Sequence, residues 1–242
     1  MLHRLDNTKA IFTFLCTFIV MLAGGGTASA FSDKSVIYGF NKTVFGSEFA
    51  PLGRQSQYIR KFRSPVRFYI HNRAKMNRRR EARRFILSLN KSIRGLKTRI
   101  VSNPDRANFH LYIVDRSDYR NTVRNIIYRR SSAPVRGRCM VRSIFTRFGI
   151  NRSDAVVVSN EGRTLFRRCL VEEILQGLGP LNEDTSLKLS MFNDRTRHTK
   201  FTRFDRYILN MLYDKRLKSG DTQRSVQRLL PKVLGDVKRR IR

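Results

Sequence analysis

Apolar residues recur along this chain in two rhythms. Val66, Phe68 and Ile70 alternate with polar neighbours over 65–71, and Phe109, Leu111 and Ile113 do the same over 108–115. A period of two turns one face of a strand toward a core, so both stretches read as strands. His71 and His110 sit on the opposite parity, which places His71 toward solvent or a rim. Between the strands, Ala82, Phe85, Ile86, Leu89 and Ile93 follow helical spacing and predict an amphipathic helix over 78–96, ended near Gly95. Cys139–Arg147 reads as an edge strand that Arg138, Arg142 and Arg147 protect from further pairing. Residues 154–159 read as a short buried strand, and Asn160-Glu161-Gly162 turns it into a second helix over 163–178. A weaker helical signal covers 118–129, and Pro134 and Gly137 mark a loop over 131–137.

The second helix is apolar around most of its circumference. Leu165, Cys169, Glu172 and Gln176 form one ladder, and Phe166, Leu170, Ile174 and Leu178 form the next. Such a helix is buried, and a buried carboxylate is costly unless it is paired, hydrogen-bonded, protonated or metal-bound. Glu172 and Glu173 therefore need partners, for which Arg167, Arg168 and the 190–206 segment are candidates. Further on, Thr202-Arg203-Phe204-Asp205 has the form of a capping box opening a helix through Tyr213. Residues 225–242 read as a basic amphipathic helix with a break at Pro231; its apolar stripe can dock on the domain or lie on an anionic membrane face. Gly39, Gly46, Pro51 and Gly53 make 36–53 read as loop and short extended pieces. The fold class expected is α/β (α+β): a mixed, mostly parallel sheet with both helices on it and a small helical C-terminal lobe.

Charge changes this picture more than composition does. Fifty Lys and Arg stand against 18 Asp and Glu, a formal net charge of +32 over 242 residues. A surface of this kind adsorbs to anionic polymers or lipids. Arg78, Arg79, Arg80, Arg83 and Arg84 on the outer face of the 78–96 helix are the candidates for anionic-surface binding. At the start, His3, Arg4 and Lys9 accompany an apolar run over 11–23, and Ala28-Ser29-Ala30 supplies an A-x-A site. This is a secretory signal peptide cleaved after Ala30, which places the protein in the periplasm or outside the cell, with no transmembrane span after cleavage. Cleavage removes Cys16 and leaves Cys139 and Cys169, an even pair expected to form a disulfide in an oxidising compartment.

The candidate chemistry lies in 169–182. Glu172, Glu173, Gln176, Gly179 and Asn182 have the spacing of the zinc-binding consensus H-E-x-x-H-x-x-G-x-x-H. Glu173 keeps the position of the general base and Gly179 that of the turn, whereas Glu172, Gln176 and Asn182 replace the three imidazoles. Downstream, Ser190-Met191-Phe192 resembles the Met turn of matrixin-like zincins, displaced by one place, and 201–214 resembles their following helix. The run 168–182 together with 204–214 is also similar to an uncharacterised family of exported proteobacterial proteins with a Glu-Glu-x-x-Gln variant of the motif. That resemblance extends from about Val36 to Gly220 and implies a zincin-like fold without implying a reaction. The organisation expected is a signal peptide (1–30), a leader (31–60), a zincin-like domain (61–220) and a basic tail (221–242).

The donors at the three changed positions are all oxygen, which suits hard cations better than zinc, so no metal and no cofactor are expected. There is no G-x-x-x-x-G-K-[ST] loop and no G-x-G-x-x-G, and the sequence gives nucleotide use no support. Export and the lack of interleaved aromatics argue against nucleic acid as partner. The leading reading is an exported, non-catalytic zincin-like protein that binds an anionic cell-envelope component or a protein partner. Two alternatives stand beside it: a peptidase-like hydrolase using Glu173 as general base, and a basic protein acting through surface charge alone.

Overall fold

A computed structural model describes residues 31–45 and 58–241. The signal peptide expected over 1–30, and residues 46–53 of the stretch expected as loop, lie outside the described residues.

Five strands form one sheet in the order β2-β1-β3-β5-β4: β1 (Val66–Asn72), β2 (Thr98–Ile100), β3 (Phe109–Val114), β4 (Cys139–Thr146) and β5 (Gly149–Val158). All neighbours run parallel except β4, which pairs antiparallel with β5 at the sheet edge. The alternation in β1 behaves as expected: Val66, Phe68 and Ile70 enter the main core, where the stretch between strands supplies α2 (Arg79–Ser92) with Ala82, Ile86 and Leu89 buried. In β3 every residue is buried, because Tyr112 and Val114 meet a second layer on the other face and His110 packs against His71 of β1. That layer is α3 (Arg116–Asn121) and a π-helical turn (Thr122–Tyr128), which bring Tyr119, Val123 and Ile127 onto Val156 and Val158. The central helix α4 (Arg163–Gln176) lies against β4 and β5, with every residue from Cys169 to Gln176 buried.

Three differences from the sequence reading stand out. The first is α1 (Asp33–Val44), a helix where loop and extended pieces are expected. Ser32 caps it, and Val36, Phe40 and Val44, spaced by four, are buried. Its Gly39 lies under the Phe204 ring, where an added Cβ would come within 2.7 Å, so this glycine serves close packing instead of a turn. Second, β5 begins at Gly149, several residues earlier than its apolar run, since Ser153 and Asp154 are buried through hydrogen bonds. Third, Pro231 opens α7 (Leu230–Arg240) instead of breaking it, after the single turn of α6 (Gln223–Val226). The stripe Leu230, Val233, Leu234 and Val237 is buried, and α7 packs on α1 and on α5 (Arg203–Leu212). Among the described residues no helix is long and apolar enough to cross a membrane.

Cys139, the first residue of β4, is bonded to Cys169 of α4, with Cα atoms 5.7 Å apart. The bond closes a loop spanning 30 positions and fastens the edge strand to the central helix. Replacing both cysteines by serine is expected to lower the unfolding free energy by about 3–4 kcal/mol in the chain-entropy account. Urea unfolding of the variant and of the reduced parent checks it. Equal midpoints for the parent with and without reductant would exclude this contribution.

Candidate functional site

The helix, the edge strand and the loop between the π turn and β4 enclose a cleft of about 1140 Å³. Its floor is acidic: Glu172 and Glu173 from α4 are joined there by Glu183 and Asp194 from the segment that follows the helix. Its walls are basic, with Arg130, Arg136, Arg138 and Arg142 on the loop and strand side and Arg168 on α4. The disulfide lines the same space, and a carboxylate oxygen of each of Glu172 and Glu173 lies within 4.8 Å of the Cys139 sulfur.

Helical spacing decides which side chains reach this cleft. Residues 165, 168, 169, 172 and 173 share one face of α4, separated by three or four positions. Glu172 is 4 % exposed, and Arg168, one turn earlier, brings its Nε to 3.4 Å from the carboxylate. Burial pushes the Glu172 carboxyl up to about 8, and the neighbouring Glu183 carboxylate works in the same direction against Arg168. Burial thus favours the protonated form of Glu172, which shares a hydrogen bond with Glu183. Gln176 donates its amide to the same Glu183 at 2.5 Å. Glu173 is also buried and faces Tyr119, whose hydroxyl burial raises first and the Glu173 charge raises further. Arg167, expected as a partner of these carboxylates, instead binds Glu81 on α2 at 2.5 Å.

Asn182 does not join the others. Its amide donates to the carbonyls of Lys42 and Phe45, both at 3.2 Å, and so fastens the end of α1. The groups at 172, 176 and 182 are therefore a carboxyl engaged with Arg168 and Glu183, an amide engaged by Glu183 and an amide turned to another helix. They do not fit a zinc ion, which takes neutral imidazoles, thiolates or ionised carboxylates converging on one point. Cys139 lies near the two carboxylates, but its sulfur is held in the disulfide.

The turn beyond the helix is tied down by the C-terminal layer. Gly179 has φ +143° and lies against Arg60 and Leu212. The Tyr213 hydroxyl donates to the Leu178 carbonyl at 2.9 Å. Met191 is buried, and its N–H donates to Asp205, which also accepts from the Ser190 hydroxyl at 2.5 Å. Thr202 caps α5 and receives the Asp205 N–H, as the capping-box reading expects. Burial raises the Asp205 carboxyl to about 6 although these donors oppose the shift. Thr202→Ala is expected to cost about 1 kcal/mol, measurable by urea unfolding; an unchanged midpoint would show that Asp205 holds the turn without the cap.

On α2, Arg79, Arg80, Arg83 and Arg84 are exposed, whereas Arg78 packs over Phe166 and pairs with Glu81. His198 is half-buried, with Nε2 3.3 Å from the Lys188 carbonyl, and is not among the residues that line the cleft. Glu183 is absent from the sequence reading, although an acid just beyond the motif in Asn182-Glu183-Asp184 is a signal; Asp194 enters that reading only as part of the 190–206 segment, and Tyr119 only within the helical signal over 118–129.

A mixed five-stranded α/β domain with a disulfide-edged cleft, acidic at its floor and rimmed by arginines, is the class defined by this geometry. Residues 33–232 match the family model described as "Protein of unknown function (DUF2927)", and the chain belongs to that family. No curated protein matches the chain.

Proposed function

We propose that this is an exported zincin-like binding protein whose cleft receives an anionic segment of a cell-envelope polymer or of a protein partner, without metal hydrolysis. The observation that carries the reading is the commitment of the motif's polar groups to the protein itself. Asn182 secures α1, and Gln176 and Glu172 are both engaged with Glu183. The helix, its glycine turn and the Tyr213 contact persist as scaffold around a cleft with an arginine rim. The rim supplies planar donors for carboxylate or phosphate. Export and a proteobacterial origin belong to the same proposal, supported by the charge and apolar pattern of residues 1–30 and by the sequence resemblance.

The test is fluorescence anisotropy with a labelled oligoglutamate peptide and a phosphate polymer of matched length. Arg136→Glu with Arg142→Glu should weaken binding at moderate salt far more than Arg80→Glu with Arg84→Glu on α2. Equal losses from the two pairs, with binding abolished by moderate salt, would leave surface charge alone as the explanation.

One observation favours a second reading. A carboxyl raised well above the usual carboxylate range by burial, beside a second buried carboxylate, is the pairing used for general acid and base catalysis. In that case Glu172 donates a proton and Glu173 accepts one during hydrolysis. Hydrolysis of a cell-envelope or peptide substrate that Glu173→Gln abolishes without a change in melting temperature would establish this reading over the first.

A further inference from the structure

The second sheet face carries a cluster that the cleft does not use. Its α3 end is covered, and farther along the same face β1 presents His71 and β3 presents His110 and Tyr112. In the parallel register His71 is opposite Tyr112 and His110 is opposite Tyr69, so the two histidines are diagonal neighbours. Their rings meet edge to edge, with His71 Nε2 and His110 Nδ1 3.1 Å apart and ring centroids 5.4 Å apart. The difference is about the two ring radii, so the nitrogen lone pairs lie close to one line. Stacking holds the rings there: His71 lies on Tyr112 at 4.2 Å with planes 6° apart, and Tyr69 packs against its other side.

We propose that His71 and His110 form a two-coordinate site for a monovalent d10 metal ion, Cu+ or Ag+, held between Nε2 of His71 and Nδ1 of His110. Imidazole nitrogen is a good ligand for copper, and opposed lone pairs favour a linear ion over a tetrahedral one. A tetrahedral ion would need further ligands, and the nearby Asp154 carboxylate is already gripped by three hydrogen bonds from Arg152. Arg73, Arg79 and Arg152 face the pair, and they repel a divalent ion twice as strongly as a monovalent one; Asp105 and Asp154 offset part of this. Burial first, then His110 and these arginines, pushes His71 down to about 4, and burial lowers His110 as well. Burial thus favours the uncharged imidazoles that bind metal, with one proton shared between the two facing nitrogens until an ion displaces it. In the metal-free pair one ring donates its N–H to the other. On binding, that proton moves to the outer nitrogen of its own ring, so no proton is released to solvent. Two metal–nitrogen bonds of about 2 Å each need the nitrogens about 4 Å apart, so the rings must part by roughly 0.9 Å, and the half-buried His71 is the one that has to move, since His110 is buried.

The test uses the full chain carrying Cys16→Ser, which removes the one thiol that stands outside the disulfide pair. Cu+ is titrated anaerobically with ascorbate against a chromophoric chelator, and imidazole 15N resonances are followed with one equivalent of Ag+. One Cu+ per chain is expected, with affinity reduced about tenfold or more by either His71→Gln or His110→Gln. The double variant should be no weaker than the weaker single one. In the Ag+ experiment His71 Nε2 and His110 Nδ1 should shift while His198 does not. Affinity unchanged in both single variants, or unmoved resonances of His71 and His110 in the parent, would overturn the proposal. The spectra of the parent decide the matter even where a variant fails to fold.

Discussion

Gly179→Ala is expected to lower the unfolding free energy by at least about 4 kcal/mol, adding backbone strain to overpacking. With φ at +143°, the residue occupies a conformation that side chains with a Cβ rarely adopt. An added Cβ would sit 2.5 Å from the Arg60 carbonyl oxygen and 2.7 Å from Leu212 Cδ2. The first of these is backbone, on a segment that is itself pinned. Ile59 exchanges hydrogen bonds with Asp221 and Gly220, and the ammonium of Lys61 donates to three carbonyls at the end of α5. Arg60 is fully buried with its guanidinium over Phe145, so the carbonyl cannot step aside cheaply. Gly162 is the control: it too has positive φ (+99°), but nothing lies within 4 Å of its would-be Cβ. Gly162→Ala should therefore cost only the backbone term, about 1 kcal/mol. Equal losses in the two variants, by urea unfolding, would show that the contact with Arg60 carries no weight. The glycine of the zinc spacing thus has a packing reason that stands apart from any metal.

Legibility followed how locally each feature is encoded. Strand β1 and helix α2 could be read because each buries one face, so that residues such as Phe68 and Ile86 recur at the period of their element, and β3 could be read from Phe109, Leu111 and Ile113 on one parity although both its faces are buried. The capping box at Thr202 and the disulfide pair were readable for the same reason, since residue type and spacing nearly suffice. Helix α1 escaped because Gly39 reads as a breaker until Phe204, far along the chain, is seen packing on it. Strand β2 is three residues long and has no period to detect. The site divided along the same line. Helical spacing placed Glu172 and Glu173 together, but the environment that raises Glu172 is burial in the cleft, reinforced by Glu183, which reaches back from beyond the turn. Asn182 fits the zinc spacing by count alone; its direction is decided by the carbonyls of α1, which a motif cannot report. The meeting of His71 and His110 likewise needs the parallel register of two strands whose order the sequence does not state.

Glu172→Gln is expected to stabilise the protein at alkaline pH while leaving it nearly unchanged at pH 4. The folded carboxyl titrates near 8, above its ordinary 4.5, because it is buried beside Glu183. Below 4.5 both folded and unfolded chains hold the proton, and the contribution to stability is fully present. Between 4.5 and 8 the unfolded chain loses the proton first, so stability falls as pH rises. Above 8 the loss is complete, on the order of 5 kcal/mol for a shift of this size. Glutamine keeps a donor for Glu183 and cannot ionise, so it removes the slope. Asp205, raised to about 6, adds a slope of the same sign at lower pH, and Asp214, lowered to about 2 chiefly by its hydrogen bond from Arg216, acts only in stronger acid. Both are common to parent and variant and cancel in the difference. Unfolding free energies of the two proteins from pH 4 to 9 measure it. Curves that stay parallel, or a parent that is the more stable at pH 9, would mean that Glu172 is an ordinary anion paired with Arg168. The protonated acid that the catalytic reading of the cleft requires would then be absent.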